Sequence, residues 1–274
     1  MLGLSLPSDV LYVLFDYRLK ITGVIAPLVC FSVMALSNYT EHVLSPPVEP
    51  HAIVSFGGRS VFFTVNVIGT LLIYYSASLL SHALSLLQLN DALPPHLLPF
   101  ASLLSKLTYK LFVPAYTLGT LLSVFYYAGV LTDKAEAANI RKWHRRGIPL
   151  ARFLHTTHST SILCVNIDLL FKEQAMVCEH MPPTAAFFVL CMLAYSLYYT
   201  TWVMVNYSVT KHFPYPFMNE MNSWKIVLGL LVGLGAVSNG VCVVCGKVIE
   251  GYFCGSGLPV EGVYGEVLAA LRIV

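Results

Sequence analysis

Charged residues are scarce in this sequence. Only 11% of the 274 residues are Asp, Glu, Lys or Arg, whereas soluble domains carry about 25%. A soluble chain of this length would need a charged surface around its core, so the shortage excludes an ordinary soluble domain. The net charge of +2 also gives no reason to expect nucleic acid or a strongly acidic protein as a partner.

Cysteine patterns and the features of a cleaved leader are also missing. The seven cysteines show no Cys-x-x-Cys spacing that repeats, so the sequence predicts neither a disulfide framework nor a zinc site. Cys30, Cys164, Cys191 and Cys242 lie within apolar segments, where cysteine packs as a small hydrophobic residue. No basic stretch precedes an apolar run at the N-terminus, so we expect no cleaved signal peptide.

Apolar residues, in contrast, are abundant and occur in long blocks. They make up 57% of the chain, and the mean hydropathy is +0.71. A helix needs about 20 mainly apolar residues to cross a bilayer. The blocks predict an all-α, polytopic transmembrane helical bundle with about six spans, at roughly Ile21–Ser37, Val61–Leu80, Tyr109–Leu131, Phe153–Phe171, Thr184–Asn206 and Trp224–Ile249.

These spans define one domain, residues 1–250, followed by a Gly-rich and partly disordered tail at residues 251–274. The protein is therefore expected in a membrane, as an integral multi-pass protein. Lys and Arg residues near the span ends number about nine on one face and about seven on the other, which leaves the orientation open. The sequence gives no indication of the organelle or of the oligomeric state.

The fourth span is unusually polar. It begins with the segment 154–161, in which His155 and His158 accompany five hydroxyl side chains, and Asp168 lies deeper. Polar side chains are costly in lipid and so point to function. A helix places His155 and His158 on one face, about 60° apart. A single such histidine is more often structural, but two beside several hydroxyls favour proton transfer near neutral pH.

Two further positions belong to the same argument. Thr64 opens span two, which starts on the same membrane face as span four, so Thr64 and His155 are predicted at similar depth. Asp168 is unsuitable as a third catalytic residue for His155, because thirteen residues along a helix span about 20 Å. Asp168 is instead expected to cap or pair near the far end of span four.

Four places within residues 20–250 carry a family resemblance: Phe56-Gly57-Gly58-Arg59 with Phe63-Thr64; Pro114; His155-Thr156-Thr157-His158-Ser159-Thr160 followed by Asp168; and Tyr215-Pro216-Phe217. In these places the sequence resembles the androgen-induced gene product and ADTRP family, multi-pass threonine hydrolases of fatty acid esters of hydroxy fatty acids. A second register of the histidine motif would place Arg152 opposite the family's catalytic histidine, but it matches fewer positions.

The resemblance implies an intramembrane lipid-ester hydrolase in which Thr64 is the nucleophile and His155 the general base. It requires no cofactor and no metal, and its partners are a lipid ester and the bilayer. Oxyanion donors are expected among His158, Asn66, Tyr215 and the backbone near Gly57-Gly58, and His212 belongs to a segment that returns to the same face. A threonine hydroxyl needs such a base because it is a weak nucleophile by itself.

Two other functions stay open on the sequence alone. The first is a haem or metal protein, because paired histidines on membrane helices can ligate haem iron. A second in-span histidine at matching depth is missing, since His82 lies at the far end of span two. The other is a transporter or scaffold without chemistry, although no inverted repeat or intramembrane charge path is visible. Possible haem partners of His155 and His158 are His82, His144, His180 and His212.

Overall fold

The computed structural model describes residues 8–40, 60, 62–130, 134–147, 150–182, 185–221 and 223–255. All regular structure within these residues is helical, which confirms the predicted all-α class. The six long helices of this part of the chain are α1 (Ser8–Tyr39), α2 (Phe63–Leu89), α3 (Leu98–Phe125), α5 (Leu150–Phe171), α7 (Ala186–Thr210) and α9 (Trp224–Glu250). The shorter ones are α4 (Lys134–Arg145), α6 (Gln174–His180) and α8 (Pro216–Asn219).

Four helices form a bundle that contains most of the core. Helix α2 packs along α1 and α3, and α5 packs along the same two helices. The backbones of α2 and α5 approach each other much less, so these two helices lie diagonally across the bundle. Helices α7 and α9 pack on each other, and α9 also contacts α3. The side chains at the centre of the bundle are fully buried: Met34, Ile68, Leu71, Tyr75, Phe112 and Val165.

Helices α3 and α5 cross closely because one position on α3 has no side chain. A Cβ atom built on Gly119 would lie 2.6 Å from Val165 Cγ1 and 3.2 Å from the backbone oxygen of Ser161. Small residues at such crossings let helix backbones approach. One turn further along α3, Ser123 donates a hydrogen bond from its hydroxyl to the backbone oxygen of His158, at 2.5 Å. The crossing thus positions the polar segment of α5.

Four helical segments are long and apolar enough to cross a membrane: Phe63–Leu89, Pro95–Gly129, Ala186–Thr210 and Trp224–Gly255. The segment Gly23–Tyr39 of α1 is apolar but shorter than these. Helix α5 has a suitable length but carries polar residues, and it does not meet the same criterion. Each predicted span overlaps one long helix, whereas length and hydropathy support four spans and leave the number six a prediction.

The structure corrects the expectation about disulfides. Cys178 on α6 is bonded to Cys254, in the π-helical turn Gly251–Gly255 that follows α9. The two cysteines are 76 residues apart, and no local spacing in the sequence indicates their pairing. Cys30, Cys164 and Cys242 are free and buried, as predicted, whereas Cys191 is free but only partly buried. Residues 256–274, most of the predicted tail, lie outside the described part of the chain.

Candidate active site

Thr64 lies in the first turn of α2, and the start of this helix is capped by a residue that is distant in sequence. Phe62 precedes the helix in an extended conformation and provides no side-chain cap. The backbone N–H of Phe63 donates instead to the hydroxyl of Tyr215, at 3.0 Å. The ring of Tyr215 also contacts that of Phe62 edge to face, with centroids 5.6 Å apart. The start of α2, and with it Thr64, is therefore tied to the connection between α7 and α9.

The hydroxyl of Thr64 contacts the imidazole of His158. The distance from Thr64 Oγ1 to His158 Nε2 is 3.0 Å, which is normal for a hydrogen bond. His158 is 6% exposed, and Thr64 is half-buried. The contact joins residues 94 positions apart on two helices that lie diagonally across the bundle. A hydroxyl and a ring nitrogen in this arrangement are the two components of a nucleophile and its base.

The contact of the second ring nitrogen of His158 determines which of its two nitrogens carries the proton in the neutral ring. His158 Nδ1 lies 2.7 Å from the backbone oxygen of Leu154. A carbonyl oxygen can only accept a hydrogen bond, so Nδ1 carries the proton in the neutral ring. Nε2 then has a lone pair, and the Thr64 hydroxyl donates to it. This tautomer is the one in which His158 can take the proton from Thr64.

The ring of His158 is held by one aromatic neighbour. Tyr126 stacks on it with centroids 3.8 Å apart and planes inclined by 14°. Tyr126 is buried and begins the π-helical turn Tyr126–Val130 that ends α3. Such turns are frequent at functional sites. Together with the bond from Ser123 to the backbone of His158, this stack fixes the imidazole in the plane that faces Thr64.

His155, the predicted general base, is not the histidine at Thr64. It is exposed, stacks on Tyr127 with centroids 5.7 Å apart, and its Nδ1 lies 3.2 Å from the Tyr127 hydroxyl. The physical reason is the rotation of α5. The close crossing at Gly119 and the Tyr126 stack turn His158 into the bundle, which leaves His155 about 60° around the helix, toward the outside.

The other predicted support residues have different environments. Asn66 donates its amide N–H groups to the backbone oxygens of Phe62, at 3.2 Å, and Ser60, and its Oδ1 accepts from the Tyr198 hydroxyl. It therefore organises the start of α2 and is not directed at Thr64. His212 is exposed, and no contact in the described part of the chain joins its side chain to Thr64. Gly57 and Gly58 lie outside the described residues.

An aromatic cluster borders the Thr64 side of the site, and sequence reasoning missed it. Phe63 contacts Phe125, Tyr195 and Tyr199 with centroid distances of 6.1, 6.4 and 5.3 Å. These rings come from α3 and α7, so these two helices border the start of α2. The sequence did contain one signal for this cluster. Spans three and five carry aromatic residues at the membrane depth that is predicted for Thr64.

Asp168 behaves as the sequence predicted. It does not reach either histidine of the polar segment but pairs within the far end of α5, where its Oδ1 lies 3.1 Å from Lys172 Nζ. Both side chains are almost completely buried. No group of three or more His, Cys, Asp or Glu side chains with the geometry of a metal site occurs among the described residues.

The comparison with known families gives one match. Residues 23–250 match the model of a family described as FAR-17a/AIG1-like protein. This range includes Thr64, His158 and all six long helices apart from the first part of α1. No curated protein and no solved structure matches the chain.

Proposed function

Since the chain belongs to the FAR-17a/AIG1-like family of membrane proteins, we propose that it is an integral multi-pass membrane enzyme that hydrolyses lipid esters. Thr64 is the nucleophile and His158 the general base. The observation that carries this proposal is the 3.0 Å contact between Thr64 Oγ1 and His158 Nε2. The role that the sequence resemblance gave to His155 is thereby transferred to His158.

Acylation begins with proton transfer from Thr64 to His158. Thr64 Oγ1 attacks the ester carbonyl carbon while Nε2 accepts the hydroxyl proton, and a tetrahedral intermediate forms. The intermediate then collapses, the bond to the leaving alkoxide breaks, and the imidazolium returns its proton to that oxygen. The products of this half-reaction are a free hydroxy lipid and an acyl group bonded to Thr64.

Deacylation repeats the same steps with water. His158 Nε2 takes a proton from a water molecule, the resulting nucleophile attacks the acyl carbonyl, and the Thr64 oxygen leaves with the returned proton. A fatty acid is released and the enzyme is regenerated. The hydrogen bond from Nδ1–H to the Leu154 oxygen stabilises the imidazolium in both halves of the reaction, because the donor becomes positively charged.

The oxyanion requires hydrogen-bond donors close to Thr64. The first turn of a helix presents backbone N–H groups without intrahelical acceptors, and the helix dipole makes this end positive. Thr64 itself lies in that turn, so the amides at the start of α2 are the nearest donors. One donor of this kind stabilises a transition state by about 3 kcal/mol. Asn66 is excluded from this role by its bonds to Phe62 and Ser60.

A lipid ester suits the surroundings of the site. Thr64 opens a helix of 27 residues that is long and apolar enough to cross a membrane, and the aromatic cluster around Phe63 adjoins it. An acyl chain can lie against such apolar walls while its ester reaches the Thr64 hydroxyl. A hydrophilic ester would lose its hydration there without gaining compensating contacts.

The haem alternative is less compatible with the contacts of His158. Iron ligation needs a ring nitrogen that is free of other partners. Nδ1 and Nε2 of His158 are both occupied by protein atoms, Leu154 O and Thr64 Oγ1. His155, the other histidine of the polar segment, is directed toward Tyr127 on the outside of the bundle.

Covalent labelling with a fluorophosphonate in membranes tests the proposal. The wild-type protein should be labelled at Thr64, and Thr64→Ala should abolish labelling at equal expression. A suitable control is Thr70→Ala, because Thr70 lies on the same helix and donates its hydroxyl proton to the backbone oxygen of Asn66, not to a histidine. Thr70→Ala should label like wild type. An unlabelled wild type that is well folded, or a labelled Thr64→Ala, would overturn the nucleophile assignment.

A further inference from the structure

A buried ion pair lies on the same helix as His158 but far from the site. Asp168 and Lys172 are 3% and 5% exposed, and they are one turn apart on α5. Asp168 follows His158 by ten residues, which is about 15 Å along a helix. Two charges are costly to bury and persist only with good partners. Their presence at this depth therefore needs an explanation that the Thr64–His158 chemistry does not supply.

Every described contact of the pair is made within the protein. The second carboxylate oxygen of Asp168 accepts from the Tyr74 hydroxyl at 2.7 Å, and Lys172 Nζ lies 3.4 Å from Ser78 Oγ. The ammonium group also lies over the ring of Tyr109, with 5.1 Å to its centroid, a favourable cation–π position. These partners satisfy both charges. The cluster is therefore closed by its own side chains and does not resemble a site for an external ion.

The same sequence offset joins three polar pairs along α2 and α5. Thr64 bonds to His158, Tyr74 to Asp168 and Ser78 to Lys172, and each pair is separated by 94 positions. The two helices therefore run parallel in one constant register. They lie diagonally across the bundle, with α1 and α3 packed between them. These polar side chains therefore join the two helices directly and depend on their mutual register.

We propose that the cluster of Tyr74, Ser78, Asp168 and Lys172 locks the register of α5 against α2 and so positions His158 at Thr64. A slip by one residue moves a helix by 1.5 Å and turns it by 100°. It would separate Asp168 from the Tyr74 hydroxyl and Lys172 from Ser78, and leave the ion pair in an apolar interior without these hydrogen bonds, which is disfavoured. The four residues are positioning residues, and this inference rests on the proposed hydrolase function.

Two variants test the lock with little risk of unfolding. Tyr74→Phe removes only the hydroxyl that Asp168 accepts from. Asp168→Leu combined with Lys172→Met removes both charges together, a change that is often neutral for stability. Ser76→Ala is the matched control, because Ser76 lies on the exposed side of α2 and bonds only to the Leu72 oxygen.

The expected result is a loss of turnover without a loss of substrate binding. Misplacing a catalytic group by about 1 Å can cost about 100-fold in rate, so we expect kcat to fall about tenfold in Tyr74→Phe and more in the double variant. KM should stay within about twofold of wild type, since the substrate contacts are unchanged. Ser76→Ala should match wild type in both constants.

A second measurement detects the register of α5 against α2 without depending on catalysis. Cysteines introduced together as Thr64→Cys and His158→Cys should be joined efficiently by a short bifunctional thiol reagent, by comparison with each single variant. Adding Tyr74→Phe, or the Asp168→Leu and Lys172→Met pair, should lower this yield several-fold, whereas adding Ser76→Ala should not.

The outcomes separate this inference from the hydrolase proposal. Unchanged kcat and unchanged cross-linking in folded lock variants would overturn the register lock while the hydrolase proposal stands. A wild type that hydrolyses no lipid ester would refute the hydrolase proposal, and the cross-linking yields would then decide the register lock alone.

Discussion

A threonine hydroxyl becomes a useful nucleophile only when a base accepts its proton. In the mechanism that we propose, the tautomer of His158 determines whether it can act as this base. Because His158 Nδ1 faces the oxygen of Leu154, Nε2 has the lone pair and faces Thr64 Oγ1. Tyr126 and Ser123 hold the ring and the backbone of His158 in that orientation. Four side chains from three helices thus prepare one proton transfer.

The rate of ester hydrolysis should therefore depend on pH. Protonation of the His158 imidazole occupies the lone pair at Nε2, so kcat/KM should be level while the ring is neutral and fall at acidic pH, with a limiting slope of about one logarithmic unit per pH unit once the ring is mostly protonated. The same profile is expected for His155→Ala, since His155 is not in contact with Thr64. A kcat/KM that does not fall at any acidic pH at which the protein stays folded would mean that a histidine is not the base.

From the sequence, Thr64 is predicted as the nucleophile and His155 as its base, and both catalytic roles stay predictions; the structure brings His158, and not His155, into contact with Thr64. The motif resemblance and the topology both identified the start of span two and the polar segment of span four. Choosing between His155 and His158 required the rotation of α5, because both residues lie on one broad face, about 60° apart. That rotation is set by contacts with α3, at Gly119 and Tyr126, which no periodicity in α5 reveals.

At the scale of helices, the crossing of α3 and α5 at Gly119 determines the geometry of the site. A Cβ atom at this position would lie 2.6 Å from Val165 Cγ1, so any side chain forces the helices apart. Ser123, one turn along α3, would then lose its contact with the backbone of His158. The distance between Thr64 and His158 depends on this packing.

Gly119→Ala should consequently lower both stability and turnover. Overpacking of this kind costs about 1–3 kcal/mol, to be measured as a decrease in thermal stability in detergent, and kcat should fall at least several-fold. Gly229→Ala on α9 is the control, because a Cβ atom added there would have no neighbour within 4 Å. It should retain wild-type kcat. Normal activity in Gly119→Ala would show that the α3–α5 distance does not position His158.

The helices themselves were largely predictable from the sequence, and their ends were less so. Each predicted apolar segment overlaps one long helix, but α1 and α3 begin well before the predicted spans, at Ser8 and Leu98. Hydropathy detects only the part of a helix that is suited to lipid. The first turns of α3 are helical because they follow the turn Pro95–Leu97 and pack near Leu84 and Leu93.

At the scale of the molecule, the bundle brings distant polar segments to one end. The starts of α2 and α5, the end of α3 and the connection after α7 meet around Thr64. The sequence predicted this convergence, because alternate spans begin on the same face of the membrane. As a result of the convergence, Tyr215 and His158 both lie close to Thr64. The disulfide between Cys178 and Cys254 joins α6 to the turn after α9, and it depends on three-dimensional proximity across 76 residues.

The most direct test of the account compares the two histidines of the polar segment. Hydrolysis of a branched fatty acid ester should be measured for wild type, His158→Ala and His155→Ala at equal amounts of folded protein. We expect His158→Ala to lower kcat by about 10³-fold or more, as removal of a catalytic base does, while His155→Ala stays within about threefold of wild type. Loss of activity in His155→Ala with a functional His158→Ala would contradict the assignment of His158 as the base of Thr64.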